Sequence, residues 1–314
     1  MLRINSFWME VRDMSENFWN RRDAMFGGIS AVSAAAFPAV SASAGNLPVL
    51  DLESPQKRAW VRAKIMASAG TETVYTFYRV HAFAYLHEGN LEPLFTTHVL
   101  NARVCRPSTD MVYQFTTYEV GMVTTFDSDE PLDSWDNPYT GERVKVWPLI
   151  NGPLAVEARP DSIGTAAGLD LRPDGMRIDV MADMVFLPTV SAVTAPHRFQ
   201  PDEWPRESTG ENFYWDSHFT YVAPLAEVAD PNINRTSSIF YLQNLGSWYP
   251  WMRMGRHPGR LYGRAHGRKL NHFGEIPDAP RRLFESQVPE IFDLDRWETP
   301  RFREDDYMRA NRPR

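Results

Sequence analysis

The chain has 314 residues, a formal net charge of −7 at pH 7, 43% hydrophobic and 13% aromatic residues, and one cysteine. That length suffices for one large or two small domains, and the lone Cys105 excludes an intrachain disulfide and any Cys-based zinc or iron–sulfur cluster. With 24 prolines and 18 glycines the chain turns often, so its stability has to come from apolar and aromatic burial.

Residues 1–44 read as an export signal. Arg21 and Arg22 precede a mildly apolar, Ala/Ser-rich run, and Ala42-Ser43-Ala44 supplies the small residues that a signal peptidase reads. Gly27, Gly28 and Pro38 interrupt this stretch, and it shows no helical apolar face. A membrane span needs about 20 predominantly apolar residues, which neither this run nor any later one supplies, so no stable membrane insertion is expected. The segment is of twin-arginine type, with the export machinery as the partner that reads Arg21 and Arg22. The mature chain then starts near Gly45 in the periplasm. Removing residues 1–44 takes away four basic and four acidic residues, so the charge stays at −7.

The body, 45–290, reads as strands. Val74 to Leu86 alternates, with Tyr75, Phe77, Arg79, His81, Phe83 and Tyr85 on one face and Val74, Thr76, Tyr78, Val80, Ala82 and Ala84 on the other. His87-Glu88-Gly89-Asn90 turns the chain, and Leu94 to Val104 returns. Further strands are expected at Met111–Thr125, Val144–Leu149, Met176–Leu187, Asn212–Val222, Ser237–Gln243 and 260–270. About eight strands with little helix before the C-terminal region predict a mainly β fold, a single antiparallel barrel or strongly curved sheet of calycin type with a short helical C-terminal extension. Pro280 to Val288 suits that helix. The charged end, 291–314, reads as a surface tail.

Asn137-Pro138-Tyr139-Thr140-Gly141 has the composition of a tight turn, with proline presetting φ and glycine free to take φ > 0. The run Trp135-Asp136-Asn137-Pro138-Tyr139-Thr140-Gly141-Glu142, preceded by Tyr118-Glu119-Val120-Gly121, occurs together with Pro250-Trp251-Met252-Arg253-Met254-Gly255 and Pro258-Gly259-Arg260-Leu261. In these motifs the chain resembles an exported bacterial family known as a domain of unknown function, over most of residues 58–290. The resemblance implies no activity and no residue roles.

Candidate site residues therefore come from side-chain chemistry. In Asn212–Tyr221, alternation puts Asn212, Tyr214, Asp216 and His218 on one face, which reads as a pocket wall, and Phe213, Trp215, Phe219 and Tyr221 on the other, which reads as core. Same-face neighbours lie roughly 6 to 7 Å apart along a strand, so Asp216 can orient His218 as a general acid/base, with His81 on the opposite wall as a further catalytic candidate. From Arg260 to Arg268 the basic residues Arg264 and His266 share a face, either a pocket wall or a solvated edge strand. Arg253 needs a carboxylate or an anionic ligand if buried, with Glu119, Asp136 and Asp216 as candidate partners. Ligand-binding candidates are thus Arg79, Tyr118, Glu119, Tyr214, Trp251, Arg253, Arg264 and His266.

No metal or other cofactor is expected. His81 and His87 are roughly 20 Å apart along a strand, against a zinc–histidine bond of about 2 Å, and HExxH, Cys-x-x-Cys, P-loop and nucleophile-elbow patterns are all missing. The basic stretch sits in an acidic exported chain, so no nucleic-acid partner is expected. Two readings remain open. One is a protein that binds a small aromatic or carboxylated molecule and catalyses a cofactor-independent proton transfer as a lyase, isomerase or hydrolase. The other is a periplasmic carrier of such a ligand without catalysis.

Overall fold

Long alternating runs become long strands. The computed structural model describes residues 47–86, 89–106, 109, 111–165, 177–293 and 301–311. In chain order these form α1 (Pro55–Met66), β1 (Thr73–Tyr85), β2 (Leu91–Cys105), β3 (Tyr113–Thr124), β4 (Ser134–Asp136), β5 (Arg143–Lys145), β6 (Leu149–Ala158), β7 (Ile163–Thr165), β8 (Asp179–Met181), β9 (Met184–Pro196), β10 (Asn212–Pro224), α2 (Leu225–Ala229), β11 (Ile239–Gly246), β12 (Arg260–Lys269), α3 (Asp278–Gln287), β13 (Arg301–Phe302) and α4 (Arg303–Asn311). The expected export segment, with Arg21 and Arg22, lies outside the described residues, as do His87 and Glu88 of the first turn.

One antiparallel sheet runs in the order β13-β6-β3-β2-β1-β12-β11-β10-β9-β8, with β7 on β6 and β4–β5 as a separate hairpin. It curls strongly into a half-barrel, so the fold is mainly β, as expected. Two boundaries differ. The expected strand 176–187 is a hairpin that turns at Ala182, in the left-handed region at φ 52°, and β9 then continues to Pro196. The expected strand 144–149 is the end of β5 and the start of β6.

Both ends of the concave face are filled, by different means. At one end α1 lies in the curl, its Val61, Ile65 and Met66 packed with Tyr78, Val80, Val99, Tyr221 and Leu242. Ser54 caps it, the hydroxyl accepting from the Lys57 amide at 3.3 Å, and Pro55 opens the first turn where its missing N–H is no loss. This helix was not expected from the sequence, because it is buried almost all round and has no polar stripe. Arg62 donates to the Pro160 carbonyl at 3.0 Å, and Lys64 donates to the carbonyls of Val228 at 3.2 Å and Asp230 at 2.5 Å. Burial lowers the Lys64 pKa to about 8.

At the other end an aromatic cluster includes Phe95, Trp135, Trp147, Trp248 and Trp251. The two sequence motifs meet here. Asn137 accepts from the Tyr139 and Thr140 amides at 2.9 and 3.2 Å through Oδ1, which builds its own turn, and donates through Nδ2 to the Met252 carbonyl at 2.7 Å. Gly141 closes that turn at φ 72°.

Outside the sheet, α3 covers a patch that includes Phe77, Leu100, Val120 and Met122, leaving the outer faces of β10, β11 and β12 open. The charged C-terminal end is not a loose tail from 301 to 311. β13 pairs with β6, Asp305 meets Arg198 at 2.7 Å, and the Tyr307 ring lies 4.3 Å from that of Trp147.

Candidate functional site

Between α1 and the aromatic cluster the half-barrel leaves a cavity of about 270 Å³, near the lower end of the roughly 300 to 1,000 Å³ usual for small-molecule clefts. Its walls are mostly rings. Phe213 and Trp215 come from β10, Tyr249 and Trp251 from the loop before β12, and Trp147 from the link between β5 and β6. Phe213 stacks on Trp215 at 6.0 Å and Trp215 on Tyr249 at 5.5 Å, which gives one continuous aromatic side. Gly246, opposite Trp215 on β11, makes that wall possible, since a Cβ there would fall 2.2 Å from Trp215 Cε3.

Glu119 of β3 supplies the polar floor. Its Oε2 accepts from the Tyr78 hydroxyl at 2.6 Å and from Asn101 Nδ2 at 3.2 Å, while Thr117 donates to Asn101 Oδ1 at 3.3 Å. Oε1 accepts no hydrogen bond among the described residues. Burial and then the Glu119 charge push the Tyr78 phenol well above its ordinary range, so it remains a donor. Nearby Arg103, half-buried, donates to the Met66 carbonyl at 2.5 Å and bonds Tyr221.

The C-terminal segment forms the roof, with Phe302, Arg303 and Glu304 lining the cavity. Burial raises the Glu304 pKa, so this carboxyl holds its proton to higher pH than an ordinary glutamate. Burial, then the charges of Glu119 and Glu304, likewise raise Tyr249. The roof is fastened by Tyr307, whose hydroxyl accepts from Arg253 Nη2 and donates to Glu207 Oε1, both at 2.8 Å.

The residues singled out from sequence divide between two places. Glu119 and Trp251 line the cavity. Asp216 and His218 are exposed on the outer face of β10, and it is Phe213 and Trp215, read as core, that face the cavity: the wall and the core of this strand are exchanged. The same exchange applies to β1. Arg79 and His81 point outward, paired across the strands with His266 and Arg264 respectively. Arg79 is held by Asp129 at 2.9 Å, and Tyr214 lies exposed beside Arg260. Tyr118 is buried under the C-terminal cover, 3.4 Å from Glu290. Arg253 does pair with a carboxylate, but the partner is Glu207 at 3.2 Å rather than Glu119, Asp136 or Asp216. Asp136 pairs with Arg143 on its own hairpin.

Sequence reasoning missed Phe213, Trp215 and Trp147 as cavity walls, and Arg303 and Glu304 altogether. Among the described residues no group of three or more His, Cys, Asp or Glu is arranged to hold a metal ion, and no helix is long and apolar enough to cross a membrane.

Comparison with curated proteins returns no match. The matched family is described as "Protein of unknown function (DUF1838)", and its profile covers residues 71–301, a span that takes in Glu119, both turn motifs and the aromatic wall. The chain belongs to that family.

Proposed function

We propose that the protein binds a small aromatic molecule in the concave cavity, with a hydroxyl or amine of the ligand donating to Glu119. The observation that carries this reading is the Glu119 carboxylate itself. One oxygen is held by Tyr78 and Asn101, the other has no donor among the described residues, and stacked rings surround the opening. A half-buried carboxylate fixed in this way positions a polar ligand group, and apolar rings supply most of the binding surface. The carboxylate favours a neutral or cationic ligand over the carboxylated one that the basic residues first suggested, because Arg79, Arg264 and His266 face the other side of the sheet, Arg253 is paired with Glu207 and Arg303 with Asp306.

The same floor serves catalysis by proton transfer. Glu119 takes the proton, Tyr78 holds the carboxylate in place, and Glu304 in the roof is a second carboxyl from which a proton can return. Asp216 and His218 lie outside this cavity and take no part. The carrier reading differs only in that the ligand leaves unchanged. The paired Arg21 and Arg22 before Ala42-Ser43-Ala44 support export by the twin-arginine route, and with it a periplasmic setting for binding.

Native mass spectrometry of protein isolated from its own cells, compared with the denatured protein, identifies any retained molecule. That molecule is then titrated while the fluorescence of Trp147, Trp215 and Trp251 is followed. Trp215→Ala is expected to abolish the response. Glu119→Gln that keeps affinity and loses turnover supports the enzyme, and a ligand recovered unchanged from the native protein supports the carrier. Unaltered binding in both variants would overturn the cavity as the site.

A further inference from the structure

The outer face of the sheet holds a second concavity, shallow and of about 470 Å³, which the cavity above does not use. It is assembled by register alone. Across β11, β12 and β1 one rung reads Tyr241, His266, Arg79 and the next reads Gln243, Arg264, His81. Adjacent strands are about 4.8 Å apart, so these side chains stand within about 10 Å of one another. The His81 and His266 rings are 6.2 Å apart. Phe126, from the loop after β3, closes one side, 5.5 Å from His81 and 5.3 Å from Phe83.

The charge here runs against that of the chain. The outward residues of β12 are Arg260, Tyr262, Arg264, His266 and Arg268, and those of β11 are Ile239, Tyr241, Gln243 and Leu245, without a carboxylate in either row. Of the acids near this face, Asp129 is already engaged by Arg79 at 2.9 Å and His98 at 3.2 Å, while Asp127 follows Phe126 and Asp216 stands on β10 opposite Leu245. Arg264 is exposed and makes no ion pair among the described residues. Burial first, and then the neighbouring His266 and Arg79, hold His81 below the ordinary imidazole range. Unneutralised cations grouped around a concavity repel one another and attract anions. Tyr241 is 54% exposed, which for a ring of that size leaves a face free for stacking.

We propose that this concavity is a second binding site, for a planar aromatic anion whose carboxylate or phosphate is held by Arg264 and His266 and whose ring lies among Tyr241, Phe83 and Phe126. A guanidinium matches a carboxylate or phosphate with two parallel hydrogen bonds, and the aromatic neighbours select a flat ligand over a simple ion. The site is independent of the cavity, since alternate residues of the same strands point to opposite faces.

The test is calorimetric titration of the full chain with phenyl phosphate, with phenol and inorganic phosphate run separately. Saturable binding is expected, weaker for either fragment alone, and weakened about tenfold or more in Arg264→Gln and in His266→Ala. Arg143→Ala removes an equal charge from an exposed pair elsewhere and is expected to leave binding unchanged. Equal losses in the Arg143 and Arg264 variants would show a diffuse charge effect and overturn the site. So would binding lost in Trp215→Ala but kept in Arg264→Gln, which would move phenyl phosphate to the inner cavity, and so would no binding at all. Arg264 and His266 are exposed, and circular dichroism of each variant verifies that the fold is retained.

Discussion

Replacing Glu119 by alanine and by glutamine separates its role as an acceptor from its charge. Alanine strips the acceptor from the Tyr78 hydroxyl, at 2.6 Å, and from Asn101 Nδ2, at 3.2 Å, and both donors belong to buried residues. An orphaned buried donor costs about 1 to 3 kcal/mol, so two cost about 2 to 6 kcal/mol, toward the lower end where cavity water reaches them. Glutamine keeps an amide oxygen for both donors, and the loss is confined to the weakening of charge-assisted bonds, about 1 kcal/mol. Urea unfolding followed by tryptophan fluorescence is therefore expected to place the alanine variant at least about 1.5 kcal/mol below the glutamine variant, with an unchanged denaturant slope. Adding Tyr78→Phe to Glu119→Ala removes one orphan and is expected to recover about 1 kcal/mol. Equal stabilities for the two single variants would refute the reasoning, because the carboxylate would then not be what satisfies Tyr78 and Asn101.

Gly246→Ala brings a Cβ within 2.2 Å of Trp215 Cε3 and 2.8 Å of the Tyr214 carbonyl. A destabilisation of about 1 to 3 kcal/mol is expected, together with altered Trp215 emission, and an unshifted spectrum would count against the close approach. Lys64, lowered to about 8 by burial and moved the same way as Lys269, releases its proton earlier when folded than when unfolded. The unfolded chain thus binds more protons between about pH 8 and the ordinary lysine range near 10.4, and stability is expected to rise through that window. Tyr78, Tyr139 and Tyr249 are raised and act in the opposite sense above about pH 10. Urea midpoints against pH should pass through a maximum, with Lys64→Met flattening the rising limb. Tyr307→Ala removes the hydroxyl that joins Arg253 to Glu207 and the ring on Trp147, so acrylamide should quench cavity tryptophans more strongly; quenching as in the parent would mean that α4 is not the roof.

Alternation announced the strands because each residue of β1 and β10 alternates between two environments. It did not say which environment is concave. On β10 the polar row Asn212, Tyr214, Asp216, His218 has the chemistry of a site, and the aromatic row has the composition of a core. A cavity for a ring compound is lined much as a core is, so composition cannot tell the two apart, and only the curl of the sheet decides. Glu119 was visible as a carboxylate beside a motif, but its donors Tyr78 and Asn101 reach it across strands, which no local pattern shows. The partner of Arg253, Glu207, comes from an irregular segment with no periodicity to read. Arg303 and Glu304 were hidden in a charged stretch whose usual fate is solvation. The helix α1 was lost because burying Arg62 and Lys64 along with Val61 and Ile65 erases the stripe by which helices are recognised.

The order of the sheet also sets how it must assemble. On either side of the β1–β12 boundary the long strands pair with near neighbours along the chain, whereas that boundary joins Tyr78 to Gly267 and must wait for everything between them. Pairings of such high sequence separation are slow to form, because the entropy of closing the intervening chain is lost before the contacts are gained. The two meanders are therefore expected to form first and to zip along this seam. Gly267 lies on it, where any Cβ would stand 2.3 Å from that of Tyr78. The residue that lets the halves close is thus set directly against the one that holds Glu119, so closing this seam completes the floor of the cavity.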